Sequence, residues 1–156
     1  MDNNNSLEGI GDYVFTGGTY DGMHVGHQAC IHTLVEQARR RDIKAVAFIK
    51  GDDLASFKRG DVQSYEARLA QLQSTFESEG YSHPVIIVLN QENRDFWYEY
   101  SAKSPHARIA ITTPDNTPEY AFVNLMRELN GVGLMEIVEE QRVICEDGRP
   151  ISSTRI

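Results

Sequence analysis

Cysteine is nearly absent: Cys30 and Cys145 are the only two in 156 residues. Two cannot build the disulfide scaffold of a small secreted domain, and they read as reduced thiols. Five prolines and twelve glycines are too few for a collagen-like or low-complexity chain. No apolar run approaches the roughly 20 residues that span a bilayer; stretches such as Val85–Leu89 have only strand length. The opening MDNNNSLEGIGD is polar and acidic, without the charged-then-apolar order of a signal peptide. Basic residues are in deficit, 15 against 23 acidic, for a net charge of -8. General nucleic-acid binding needs clustered Lys and Arg, so that class is excluded. A small anionic ligand is not, because one local pocket can oppose the global sign. These absences imply a soluble, cytoplasmic protein with no nucleic-acid or membrane partner; a homo-oligomer is compatible with them.

Hydrophobic residues make up 40% and charged residues 24%, ordinary for a globular chain. The length suits one domain with its own core. Residues 1–11 read as a flexible lead-in and 12–156 as a single domain. Tyr13–Thr16 reads as a buried strand that runs into Gly17 and Gly18. Ile31, Leu34, Val35 and Ala38 recur at helical spacing within Val25–Arg41, and three arginines close that helix at the negative end of its dipole. Lys44–Ile49 is a second strand, followed by a polar loop over 50–63. Ser64 reads as the N-cap of a helix to about Glu79, with Leu69, Leu72 and Phe76 inward and Gly80 as its stop. Pro84–Leu89 is a third strand, and Phe96–Tyr98 reads as local core in a short helix. Arg108–Thr112 is a fourth strand. Pro118 opens a helix through Asn130, with Phe122, Met126 and Leu129 as its apolar stripe. Leu134–Val138 is a fifth strand, and Arg142–Cys145 is a final edge segment. Continuous apolar strands alternating with amphipathic helices define an α/β fold, with a parallel sheet covered on both faces. Ligands of such sheets bind beyond the strands' carboxyl ends, near the switch in strand order.

Chemistry-bearing residues concentrate in Thr16-Gly-Gly-Thr-Tyr-Asp-Gly-Met-His-Val-Gly-His27. Gly17 and Gly18 remove side chains, so an anion can approach backbone amides. The first turn of the following helix offers unpaired N–H groups and a partial positive charge. His24 and His27, three apart, fall on one side of that turn, and Gly26 between them permits close approach. A metal pair would need a third ligand at suitable spacing, and none is present. Asp52-Asp53 could hold Mg²⁺, but reads better as a solvated loop. His32 reads as a solvated or packed helix residue, and His83 and His106 sit in solvent-facing turns.

This stretch resembles the (T/H)xGH signature of the adenylyl- and cytidylyltransferase superfamily, and Ile151-Ser-Ser-Thr-Arg-Ile156 resembles its second motif, of the ISSTxIR kind. With the doubled glycine and the Ser-Ser-Thr form, the chain is most similar to phosphopantetheine adenylyltransferases of archaeal and eukaryotic type. Tyr65-Glu-Ala-Arg68 and Val123-Asn124 with Arg127-Glu128 and Gly131 are weaker matches. The resemblance spans about residues 13–156. It implies a Rossmann-like (HUP-type) five-stranded parallel sheet in the order 3-2-1-4-5. It also implies transfer of AMP from ATP to 4'-phosphopantetheine, with Mg²⁺ arriving on the ATP and no covalent enzyme intermediate. Two other readings share the motifs: a related nucleotidyltransferase that uses CTP or another phosphorylated acceptor, and a catalytically weak nucleotide-binding module.

The resemblance also implies residue roles. Thr19 would contact the acceptor's phosphate, His27 would donate to the α-phosphate in the transition state, and His24 would contact the triphosphate. Gly17, Gly18 and Gly26 would make room for the nucleotide. Lys58 stands where the family places a basic residue for phosphates, with Lys50 and Arg59 competing for the part. Ser152, Ser153 and Thr154 would bring hydroxyls and amides to the β- and γ-phosphates, in a segment that ATP is expected to order. Arg127 would be a nucleotide contact or a structural residue, and Asn124 a structural one.

Overall fold

The computed structural model describes residues 7, 9–18, 20, 25–55, 62–114 and 116–140. Among these, five strands form one sheet: β1 (Tyr13–Gly18), β2 (Lys44–Lys50), β3 (Val85–Leu89), β4 (Ala107–Thr112) and β5 (Glu136–Glu139). Every pairing is parallel and the order is β3-β2-β1-β4-β5, the Rossmann-like arrangement expected. The central strands are apolar on both sides because both are covered. Val14, Ala45, Ala47 and Ile49 share one core layer with helices α1 (Val25–Arg41) and α3 (Tyr65–Ser78). Phe15, Val46 and Phe48 alternate to the other layer, against α4 (Phe96–Ala102) and α5 (Thr117–Leu129). Leu7 is buried in this second layer and Ile10 packs against it, so these two residues of the lead-in belong to the core.

The sequence cues act where they stand. Ser64 Oγ accepts from Ala67 N at 3.3 Å and caps α3, while Gly80 ends it at φ 72°. Pro118 sits in the first turn of α5, where its missing N–H costs nothing. The 50–63 segment is not wholly loop: α2 (Asp52–Ala55) forms one turn within it. The stripe expected of α5 is corrected. Tyr120, Val123 and Arg127 are its buried face, while Phe122 and Leu129 stand exposed and Met126 is half-buried. The helix is apolar on two faces, and the pattern alone favoured the one whose members are all hydrophobic. The edge segment Arg142–Cys145 lies outside the described residues.

Candidate active-site cleft

The site starts where the strand order reverses, between β1 and β4. β1 stays paired with β2 to its end, through Gly17↔Phe48 and Gly18↔Ile49, whereas its register with β4 stops at Phe15↔Ala110. Thr16 Oγ1 donates to the Ile111 carbonyl at 2.9 Å and ties the two strands beyond that point. Strand order switches between β1 and β4, where open α/β sheets bind ligands. A cleft of about 390 Å³ lies there.

Its floor is glycine and aromatic. Gly17 and Gly18 line it together with Phe48 and Trp97. A Cβ on Gly17 would stand 3.3 Å from Trp97 Cζ3 and 3.5 Å from Phe48 Cβ, so the bare backbone is what lets the indole close over the strand. A Cβ on Gly18 would meet the Tyr20 ring at an ordinary 3.6 Å. Trp97 packs edge-on against Phe15, Phe48 and Tyr120 at centroid distances of 5.4, 5.1 and 5.6 Å, a geometry aromatic quadrupoles favour. It is core, as the sequence suggested, and cleft wall as well.

The two sides differ in charge. On the β2–β3 side stand Lys50, Leu89 and Arg94; on the β4–α5 side stand Asn116, Glu119 and Tyr120. Burial holds the Tyr120 phenol well above the ordinary tyrosine value, so it serves as a neutral wall. Lys50 ends β2, and its carbonyl accepts from Arg68 Nη1 at 2.6 Å. Arg68 is fully buried and also donates to Gln63 O at 2.9 Å and Asp52 Oδ1 at 3.1 Å. Asp52 Oδ1 further accepts from Tyr65 N, and Asp53 Oδ2 from Gln91 N, at 2.9 and 2.8 Å. The acidic pair stays exposed, as the solvated reading expects, and its oxygens also fasten the loop ends beside the cleft. No group of three or more His, Cys, Asp or Glu able to hold a metal occurs among the described residues.

α1 starts at the same edge of the sheet, with Gly26 and His27 in its first turn and no acidic residue there. Its N-terminus thus keeps its partial positive charge available to an anion. The His27 ring lies 5.5 Å from that of Tyr20, tilted by 60°. Tyr20 is buried in the left-handed region at φ 59°, and burial raises its phenol far above the usual value. Cys30, in the same helix, is a free thiol pushed up to about 11 by burial, which leaves it protonated.

Gly17 and Gly18 thus line the cleft, and Gly26 and His27 open the neighbouring helix. Thr19, His24, Lys58, Ser152, Ser153 and Thr154 lie outside the described residues. Arg127 is corrected to a packing role. It is 2% exposed, and donates to Gly133 O at 2.7 Å, Ser101 O at 2.6 Å and Ser104 O at 2.9 Å, toward the far end of α5. Asn124 exchanges bonds with the Met135 backbone at 2.9 and 3.0 Å, the structural part expected. Sequence reasoning missed Arg94, Asn116 and Glu119. The one signal for Arg94 was the Asn-rich turn Asn90-Gln-Glu-Asn93 before it.

Strand order, helix cover and the cleft at the order switch make this a Rossmann-like α/β protein. A family model described as FAD synthetase matches residues 8–93. Relatives named phosphopantetheine adenylyltransferase match most of the chain. That of Methanosarcina barkeri is 33% identical over 150 residues, covering 92% of this chain and 84% of its own. That of Methanopyrus kandleri is 28% identical over 145 residues, covering 92% and 87%. A solved protein of unknown function from Archaeoglobus fulgidus shares the fold at a TM-score of 0.68 and 20% identity, over 82% of this chain and 88% of that one. The chain belongs to the phosphopantetheine adenylyltransferase family of nucleotidyltransferases.

Proposed function

We propose that the protein transfers AMP from ATP to 4'-phosphopantetheine, giving dephospho-CoA and pyrophosphate. A phosphate oxygen of the acceptor attacks the α-phosphorus, the bond from that phosphorus to the bridging oxygen of the β-phosphate breaks, and pyrophosphate leaves. The reaction needs no nucleophile from the protein. It needs two anions aligned and the charge growing on the phosphoryl oxygens met by fixed donors. His27 would supply the donor to the α-phosphate, Thr19 would hold the acceptor's phosphate, and Lys58 or Lys50 would balance charge between the two anions. His24, Ser152, Ser153 and Thr154 would bind the triphosphate, with Mg²⁺ entering on the ATP. The observation that carries the reading is the cleft's polarity: cations on one side, a glycine and aromatic floor, and an acid-free helix start at the same sheet edge. That suits an acceptor with a phosphate at one end and a long uncharged arm.

The FAD synthetase match over residues 8–93 favours a second acceptor of the same chemistry. FAD is flavin mononucleotide joined to AMP through a pyrophosphate bridge, so the bond formed is of the same kind. A pyrophosphate-release screen separates the readings. ATP with phosphopantetheine should give turnover, while CTP or dephosphorylated pantetheine should not. Release with flavin mononucleotide and none with phosphopantetheine would transfer the assignment to the flavin.

A further inference from the structure

We propose that Arg94, paired with Lys50, forms the anion-holding end of the cleft and makes this site select acceptors that end in a phosphate monoester. The proposal rests on the acceptor reading above. Strand order gives the first argument. Lys50 leaves β2 and Arg94 follows β3, on one side of the cleft, while Glu119 comes from α5 beyond β4 on the other. A dianion is drawn to the first side and repelled from the second. In a chain of net charge -8 such a local pair opposes the global sign where an anion would sit.

The second argument is how Arg94 is held. Asn90 Oδ1 accepts from Glu92 N and Asn93 N, both at 2.9 Å, and Asn93 Oδ1 accepts from Asn90 N at 2.7 Å. Asn93 Nδ2 donates to Val88 O at 2.9 Å, and Asp53 Oδ2 in α2 accepts from Gln91 N at 2.8 Å. Trp97 N then donates to Arg94 O at 3.3 Å. The turn is fixed at both ends and from the side, yet the guanidinium itself is exposed and makes no ion pair with any described residue. A fork of donors so placed matches the oxygens of a phosphate.

Trp97 is the chain's only tryptophan and lines the same cleft, so its emission reports occupancy without turnover. Phosphopantetheine titrated into the wild type should shift that emission. Arg94→Ala should weaken this binding by about tenfold or more, the effect of one charge-assisted hydrogen bond, while ATP affinity stays unchanged. Arg94→Lys should fall between them, and pantetheine should bind wild type and variant equally weakly. Arg94→Gln, which keeps a polar side chain without the charge, replaces the alanine variant should the latter lose its fold. Equal phosphopantetheine affinity in wild type and variants, or a loss of ATP affinity instead, would overturn the proposal. If flavin mononucleotide binds, phosphopantetheine does not, and Arg94→Ala weakens the flavin, the phosphate clamp stands and the pantetheine reading falls. If no phosphate monoester perturbs Trp97, the clamp falls.

Discussion

Arg127 donates to three carbonyls from a position almost closed to solvent, and burial lowers its pKa without making it neutral. Replacing it with Met keeps most of the volume but removes all three bonds, and among the described residues only the Ser104 carbonyl retains another donor, Ala107 N. Arg127→Met should therefore cost about 2–4 kcal/mol in chemical denaturation and leave ATP affinity as in the wild type. A variant of native stability with weakened ATP binding would restore the nucleotide role. His27 is expected to behave in the opposite way. His27→Ala should lower kcat by about two to three orders of magnitude, the usual effect of losing one transition-state donor, with little change in stability or ATP affinity; near wild-type kcat would remove it from the chemistry. His27 was legible because glycines and a helix start mark its surroundings in the chain itself. The destination of Arg127 was not, since the carbonyls it meets lie 6 to 26 positions away. Arg94 escaped notice because a turn residue belongs to no periodic pattern.

Elements were more legible than side chains. α1 buries the apolar stripe its spacing marks, Ile31, Leu34, Val35 and Ala38, and the alternation along β1 and β2 divides their residues between two layers. α5 was misread because its buried face includes a guanidinium, which no hydropathy pattern counts as core. One tie between elements is open to a pH test. His32 of α1 hydrogen-bonds Glu79 at the end of α3 at 2.7 Å, and that bond and charge raise its pKa above the ordinary value. The folded state then holds the proton more tightly than the unfolded chain. The tie contributes fully below about pH 6.5 and is lost as pH rises through the raised value. The wild type should thus lose slightly more stability than His32→Ala between about pH 6 and pH 8.5, a small difference because the pair is exposed. Parallel pH profiles would show that the contact adds nothing.

At the scale of the whole molecule, an acidic chain carries a cleft whose cations are gathered on one side of a strand-order switch. No helix among the described residues is long and apolar enough to cross a membrane. The parallel sheet and its helix cover were readable from the alternation of apolar strands with amphipathic helices, while the strand order was implied by the family resemblance. The walls of the cleft were not, because they come from segments far apart in the chain: the ends of β1, β2 and β3, the turn and helix after β3, and the start of α5. Ser152 and Ser153 are expected to engage ATP, so Ser152→Ala with Ser153→Ala should raise the KM for ATP and leave thermal stability unchanged; an unaltered KM would make the second motif idle. The measurement that bears most directly on adenylyl transfer is phosphorus NMR of the protein turning over ATP with phosphopantetheine. A new phosphoanhydride resonance in one-to-one ratio with pyrophosphate, absent when pantetheine replaces phosphopantetheine, is the predicted result. ATP consumed to ADP and phosphate, or an equal product from pantetheine, would contradict it.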